Sequence, residues 1–477
     1  MALPARTAPR LGVLASVVGL LAFVEFTSGV MQGYYSPLMT DIARHLGVHD
    51  ADMNWLEGAQ LMLAALVVPA FAKLGDMVGH KRMLLIAIGI ATAASFVLPL
   101  TTSFPVFLVA WAIQGFNAVW LPLEIALVWS RSRARDAPAG ITAKAAGVLV
   151  AALELGAISG ALVGGALIDA LPLAIVLLVP AIIMAACFVV VLFGVPASRD
   201  VAGGRLDSTG LVLVSVALIV FTGGLFLLRA SGPGAPLPWI AVIVGLALFV
   251  PFVLAERRQA DPLIDVRMFA DPALWPVFLT AGLFGMSVLG AQVPLSTFAR
   301  TDPAIYGYGL GTAGFTTSLI IGLYLIAMIA GALLYSVISR RLTPRLTLVG
   351  ASVLVGIGYL LFLPSHASYL GVVANMVIAG IGSGALVAAL PSAAAAAAPA
   401  TQTGVATGLT NSVKTVGGAI ASCIFGIALA SGASAAADAT AGSFSGYVAV
   451  WLVCGITALV AAGTLLLVPR EAFTDRR

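Results

Sequence analysis

Residues 72–82, AKLGDMVGHKR, are a charged hinge a few residues long between two apolar runs, each long enough to cross a bilayer. Two membrane helices with so short a connection must be antiparallel neighbours, and the turn needs residues that tolerate unusual backbone angles, here Gly75 and Gly79. Lys73, Lys81 and Arg82 put positive charge at this end, which the bias of basic residues in membrane proteins makes the cytoplasmic one. Asp76 stands just before the second helix, where a carboxylate is favoured by the helix dipole and can pair with a basic group on a neighbouring helix end, forming a latch. On charge alone, the stretch reads equally well as the basic turn of any polytopic protein.

Composition sets the scene around the hinge. With 61% hydrophobic and 9% charged residues and a mean hydropathy of +1.08, the chain departs from soluble proteins, in which about a quarter of residues are charged. An all-α polytopic membrane protein follows. Cys187, Cys423 and Cys454 all lie inside apolar runs, so neither a disulfide framework nor a metal cluster is indicated. The basic residues are spread over many short loops, which argues against nucleic acid as a partner despite the net charge of +4.

Arg6 and Arg10 precede a first apolar run from Leu11 to about Gly33, with no small-residue cleavage site at signal-peptide distance, so an uncleaved first span is expected. Further runs of roughly 20 residues centre near Leu66, Ala91, Ala118, Ser159, Ile183, Val216, Leu246, Phe284, Leu325, Leu354, Ile378, Ser422 and Leu459. That predicts fourteen spans with both termini cytoplasmic. If the spans alternate, the basic residues from Arg6 to Arg477 fall overwhelmingly on the hinge side, Lys414 opens span 13, and only Arg44, Arg229 and Arg300 lie outside. The outer side carries Asp41, Asp50, Asp52, Asp169, Asp302 and Asp438. Asp41, His45 and His49, with Asp52 beyond, raise the idea of a metal or pH-sensing site. A solvated amphipathic turn with Trp55 as an interfacial anchor explains the same residues and is preferred, so no metal is assigned.

Two longer inner connections, 197–210 and 256–272, divide the spans into a 6+2+6 plan: residues 1–200, then 201–272 with two inserted helices, then 273–477. The order Leu74, Gly75, Asp76, two residues, Gly79 and a basic cluster resembles the signature loop between helices 2 and 3 of the major facilitator superfamily of transporters. Ala72 stands where that family usually has Gly, and Met77 and His80 where it has Arg. The 6+2+6 plan, RLDSTG at 205–210, ERRQADPLIDVRMF at 256–269 and TGVATGLTNSVKTVGGAIAS at 403–422 resemble its fourteen-helix drug:proton antiporter branch, over essentially the whole chain. The resemblance implies two six-helix bundles rocking about one cavity. The loop SRRLTPR, 339–345, sits where a second copy of the hinge belongs, and keeps its bases without its acid.

In span 5, Gly156, Gly160 and Gly164 recur every fourth residue, with Gly165 beside the last, giving one bare helix face. Ordinary helix packing explains this as well as the family's antiporter motif does, in which a bend-prone seam seals the cavity; the family's Pro is replaced by Ala161. Span 4 keeps the family's Gln114-Gly115 pair but has Trp111 where an Arg associated with proton transfer is usual. Pro122 is expected to bend span 4.

Glu25, Glu57, Glu124 and Glu154 lie within spans 1, 2, 4 and 5, and no acid falls inside the last six spans. A carboxylate at mid-membrane costs about 3 kcal/mol or more, so these four are the candidate proton and cation sites. Burial favours the protonated acid and a nearby cation the ionised one, so each carboxyl can exchange a proton for a positively charged substrate. Glu154 is expected deepest and Glu25 next, whereas Glu57 falls near the outer end and Glu124 near the inner end within reach of Arg131 or Arg133. The family's helix 1 acid aligns either with Glu25 or, by the following Leu46-Gly47 and Trp55, with Met31. Phe26, Gln32, Tyr34, Gln60, Gln114, Asn117 and Trp120, and in the second half Phe284, Gln292, Tyr324 and Asn375, are candidates for the cavity lining.

No phosphate-cradling Gly-loop with Lys, Ser-His-Asp set or paired surface carboxylates appears, so neither an ATP-driven pump nor another enzyme is expected, and no cofactor. The reading is a monomeric bacterial exporter of lipophilic, cationic small molecules in exchange for protons, in contact with membrane lipid. Asp76, Lys73, Lys81 and Arg82 would latch toward Arg131 or the start of span 13. A proton-independent uniporter or importer of a neutral solute, and a membrane sensor or scaffold, are the alternatives.

Overall fold

The computed structural model describes residues 11–132, 138–196, 207–232, 234–259, 262, 264–398, 403–431 and 440–467. Arg6, Arg10, Arg133, Arg135, Arg199, Arg205, Asp438, Arg470, Arg476 and Arg477 lie outside them. Fourteen described helices are long and apolar enough to cross a membrane, as the sequence predicts. They are span 1 (Ser16–Leu46), span 2 (Asp50–Val78), span 3 (His80–Leu100), span 4 (Phe104–Ser132), span 5 (Lys144–Ile168), span 6 (Leu173–Gly194) and span 7 (Ser208–Arg229). Span 8 (Pro236–Glu256), span 9 (Trp275–Arg300), span 10 (Gly314–Arg341), span 11 (Pro344–Ser365), span 12 (Tyr369–Ala397), span 13 (Val405–Ala430) and span 14 (Phe444–Leu465) follow. The end of the molecule holding residues 72–82 is called the hinge end below, and the opposite one the far end.

Two apolar cores form. One gathers side chains from spans 1–6, among them Leu21, Leu84, Phe107 and Met184, and the other from spans 9–14, among them Phe278, Tyr359, Met376 and Trp451. Spans 7 and 8 pack on each other, and span 7 also lies along spans 2 and 13. Trp55 and Met62 of span 2 meet Val214, Leu218, Phe221 and Leu225 of span 7 and Ala419 and Cys423 of span 13 in two small clusters there. Trp55 is thus buried against Phe226 (ring centroids 5.5 Å apart) rather than anchored at a membrane surface.

Several spans are interrupted, each for a local reason. Span 4 is α-helical over Phe104–Ile113, 3-10 over Gln114–Val119 and α-helical again over Trp120–Ser132. Pro122 has no N–H for the carbonyl of Ala118 and its ring crowds that turn, so the tighter winding falls just before it. Span 1 breaks at Tyr34 and Tyr35, before Pro37, and span 9 between Val288 and Gln292, before Pro294. At the hinge, Gly79 takes φ +110°, which side-chain-bearing residues rarely adopt, and its N–H bonds the carbonyl of Gly75 at 2.9 Å. Gly75 itself is helical: it is needed for close packing, because a Cβ there would meet Leu123 Cδ2 at 2.7 Å.

Candidate functional site

A chamber of about 2180 Å³ lies between the two sets of six spans. Its wall runs from Lys73, Asp76 and Trp129 at the hinge end to Tyr35, Met39 and Leu295 towards the far end. The broken segments of spans 1, 4 and 9 supply much of it, through Tyr35, Gln114 and Ala291. Backbone released from regular helix at membrane depth is tolerated where it borders such a cavity.

Three of the four membrane acids border the chamber, Glu57 and Glu154 with accessible surface and Glu25 sealed just behind it. Glu57, expected near an interface, is half-buried and faces the chamber. Glu124 does not. It is fully buried behind the wall, both its carboxyl oxygens lack a hydrogen-bond partner, and the same holds for both oxygens of Glu25. The two interact electrostatically across spans 1 and 4. Glu124 therefore does not pair with Arg131, whose guanidinium donates instead to the carbonyl of Pro196. Glu154 is half-buried, whereas Glu25 and Glu124 are closed off. Met31 and Glu25, the two alignments for the helix 1 acid, both line the chamber.

Of the other expected lining residues, Gln32, Gln60, Gln114, Asn117, Phe284, Gln292 and Tyr324 are on the wall. Four are not. Phe26 points outward at 36% exposure, Tyr34 is buried and donates to the Val176 carbonyl at 2.8 Å, Trp120 is buried in the first core, and Asn375 bonds Ser365 Oγ at 2.8 Å. The last three sit on the helix face that packs and Phe26 on the one turned outward, a distinction a helix without a polar stripe does not display. Sequence reasoning also passed over Trp111 and Lys414 as wall residues. Lys414 was read as a basic flank of span 13, yet it stands well inside the helix, and Glu154 is the charged group that acts on it.

The glycine seam is a helix-packing device. A Cβ at Gly156, Gly160 or Gly164 would come within 2.1, 2.5 and 2.2 Å of the carbonyls of Phe26, Val30 and Tyr34, so span 5 lies directly on span 1. Gly29 and Gly33 answer from span 1, against the carbonyls of Leu153 and Ala157. Only Gly165 of the four reaches the other set of spans, where a Cβ would sit 1.9 Å from Ser318 Oγ. Ser318 also donates to the Ala161 carbonyl at 2.7 Å.

The hinge acid Asp76 does not pair with Arg131 in this conformation. Asp76 Oδ1 lies 3.1 Å from His80 Nε2, which begins span 3, and Lys81 donates to the Leu192 carbonyl at 2.9 Å. Asp76 is 57% exposed at the chamber mouth, and Lys73 also borders the mouth, while Arg82 is exposed and Gly79 forms the turn.

At the far end the chamber is shut by charge. Arg300 of span 9 donates to both carboxylate oxygens of Asp41, at 2.8 and 2.7 Å, and its other terminal nitrogen is 4.0 Å from Asp169. Asp169 in turn accepts from the N–H groups of Gly314 and Phe315 at the start of span 10, both at 2.9 Å, where the helix dipole favours an anion. Ser296 donates to the Ser36 carbonyl alongside. Nearby, Arg229 of span 7 pairs with Asp52, and His49 Nδ1 accepts from Ala51 N at 3.1 Å. Burial holds the His49 imidazole below its ordinary pKa, outweighing the Asp52 carboxylate beside it. The acids read as a solvated amphipathic turn are therefore inter-span ties, and among the described residues no group of three or more His, Cys, Asp or Glu could hold a metal.

The family model described as Major Facilitator Superfamily matches residues 21–422 and 303–477. The chain is 27% identical over 405 residues to the cephamycin export protein CmcT of Amycolatopsis lactamdurans, covering 82% of this chain and 79% of that one. It is 28% identical over 431 residues to the drug efflux pump JefA of Mycobacterium tuberculosis, covering 88% and 79%. Among solved structures, the nucleoside transporter NupG superposes with a TM-score of 0.68 over 94% of this chain and 99% of that one, at 14% identity, a likeness of fold. A chamber between two six-span cores, the 72–82 hinge and a family match along almost the whole length agree: the chain belongs to the Major Facilitator Superfamily.

Proposed function

We propose that this protein is a secondary active exporter that moves lipophilic small molecules out of the cell in exchange for protons. The observation that carries the reading is a chamber open at the hinge end, closed at the far end, and walled by Glu25, Glu57 and Glu154. A carboxyl group in so apolar a surrounding holds either a proton or a neighbouring positive charge, and this mutual exclusion is what exchange requires. The relatives named as a cephamycin export protein and a drug efflux pump support export, and the acids favour substrates with a positive centre. In this reading residues 1–200 and 273–477 are two bodies that rock about the chamber, and 201–272 contribute two helices at the side. Alternation requires the Asp41–Arg300 tie to open while the hinge end closes, with Asp76, Lys73, Lys81, Arg82 and Arg131 meeting other partners there. The protein resides as a monomer in the cytoplasmic membrane, with both termini inside.

Trp111, on the wall where related antiporters carry Arg, favours a second reading in which a neutral solute passes without protons. Reconstituted vesicles with an imposed pH gradient separate the two. Under exchange, uptake of a lipophilic amine dye is driven by the gradient, and Glu154→Gln abolishes that dependence. Equal flux with and without the gradient, unaltered in Glu154→Gln, sinks the exchange reading and leaves the passive one.

A further inference from the structure

We infer that Lys414 anchors an acidic group of the transported molecule, so that amphipathic acids and zwitterions are substrates. The inference rests on the exporter reading and specifies its substrate class.

Three basic side chains border the chamber: Lys73 and Arg267 at its mouth, and Lys414 deep within. Lys414 is held there by the backbone. Span 13 crosses span 9 so closely that a Cβ on Gly285 would fall 1.9 Å from the Lys414 carbonyl, and one on Gly417 would fall 2.1 Å from the Gly282 carbonyl. The face of span 13 toward span 9 is taken up by this backbone contact, and the Lys414 side chain borders the chamber. There Lys414 and Phe284 also border a small apolar side cleft of about 20 Å³ with Leu386, Leu390 and Pro391. A cation beside apolar side chains on the wall of a large chamber is the complement of an acid carried on an apolar body.

The charged groups around Lys414 are few. From span 5 Glu154 acts on it electrostatically, and from span 10 Tyr324 stands near Glu154. Span 9 and span 12 present only uncharged groups to it, Phe284 and Val387 among them. From span 2, Glu57 lies farther along: Leu61 packs at Gly418 and Gly58 at Cys423, which places Glu57 about 12 Å beyond Lys414 along the helix axis at 1.5 Å per residue. Among the described residues Lys414 makes no ion pair within 4.0 Å. Its positive charge therefore feels one countercharge, Glu154, from beyond ion-pair distance. An incoming carboxylate supplies a nearer anion and is repelled less while Glu154 carries a proton. A zwitterion of suitable length also sets its positive centre toward Glu57, whose proton leaves as the cation arrives, as exchange requires.

The test uses the full chain in nanodiscs, with Trp quenching by naphthylacetate and by its neutral isostere naphthylacetamide as probes, at pH 6 and pH 8. Wild type should bind the acid more tightly than the amide, and more so at the lower pH. A charge-assisted hydrogen bond is worth about ten- to hundredfold in affinity, so Lys414→Gln should lower the acid-to-amide preference by that factor, and Lys414→Arg should retain it. Glu154→Gln should bind the acid tightly at both pH values. An acid-to-amide ratio equal in wild type, Lys414→Gln and Lys414→Arg overturns the assignment, as does a wild type that binds neither probe. Failure here leaves the proton-driven dye flux of wild type untouched, whereas failure of the exporter reading shows in that flux and not in the binding ratio.

Discussion

Replacing Arg300 by Gln should release the far end of the chamber. Its side chain is 11% exposed and that of Asp41 19%, so the bidentate pair at 2.7 and 2.8 Å is largely withdrawn from water. Removing one partner of such a pair costs about 2–4 kcal/mol, toward the lower end here because Asp41 keeps Arg44 at 3.9 Å and Asp169 keeps its two backbone donors. The loss falls on the closed far end alone, so the closed-to-open ratio should drop by about 30- to 1000-fold, enough to make the outward-facing form the major one if it is now rare. Spin labels on Leu171 and Ile305, exposed on the two sides of this seam, should report longer distances in Arg300→Gln. Labels on Val78 and Leu342 at the hinge end should report shorter ones. The swapped pair Asp41→Arg with Arg300→Asp should recover the wild-type distribution in part. An unchanged far-end distance in Arg300→Gln, in a protein that remains folded, refutes the assignment of this pair as the closure.

Other expectations are narrower. Gly156→Val drives a side chain into the Phe26 carbonyl and should destabilise the span 1 to span 5 contact by about 2 kcal/mol or more, read as a lower melting temperature in detergent. Gly147→Ala, with nothing within 4 Å, should be neutral or slightly stabilising. Because burial lowers the His49 pKa, the unfolded chain takes up a proton first as pH falls below about 6.5. His49 therefore stabilises the fold at neutral pH and ceases to do so on acidification, and His49→Asn should flatten the fall in melting temperature between pH 7 and pH 5. Glu124→Gln removes the member of the buried Glu25–Glu124 pair that does not border the chamber. Gradient-driven flux should fall about tenfold, as expected for loss of one group worth about 1.4 kcal/mol, and undiminished flux would confine Glu124 to a packing role.

The number of spans, the tight turn at Gly79 and the break before Pro122 were all legible from the chain alone, because each depends on a local property: the length of an apolar run, a glycine's backbone freedom, a proline's missing donor. So was the presence of acids at membrane depth, since hydrocarbon keeps such groups rare. What the chain could not display is the rotation of each helix about its own axis. These spans are apolar on all sides, so no stripe separates the face that packs from the face that lines, and Trp120 and Trp111, nine residues apart on one span, were indistinguishable until the fold buried both in one core and let the second alone border the chamber. The Asp41–Arg300 closure joins residues 259 positions apart, and Glu154 acts electrostatically on Lys414 from the other half of the chain. Electrostatic pairing between such distant groups is decided by where helices cross, and helix crossing is set by packing of glycines and broken segments that only the assembled structure brings together.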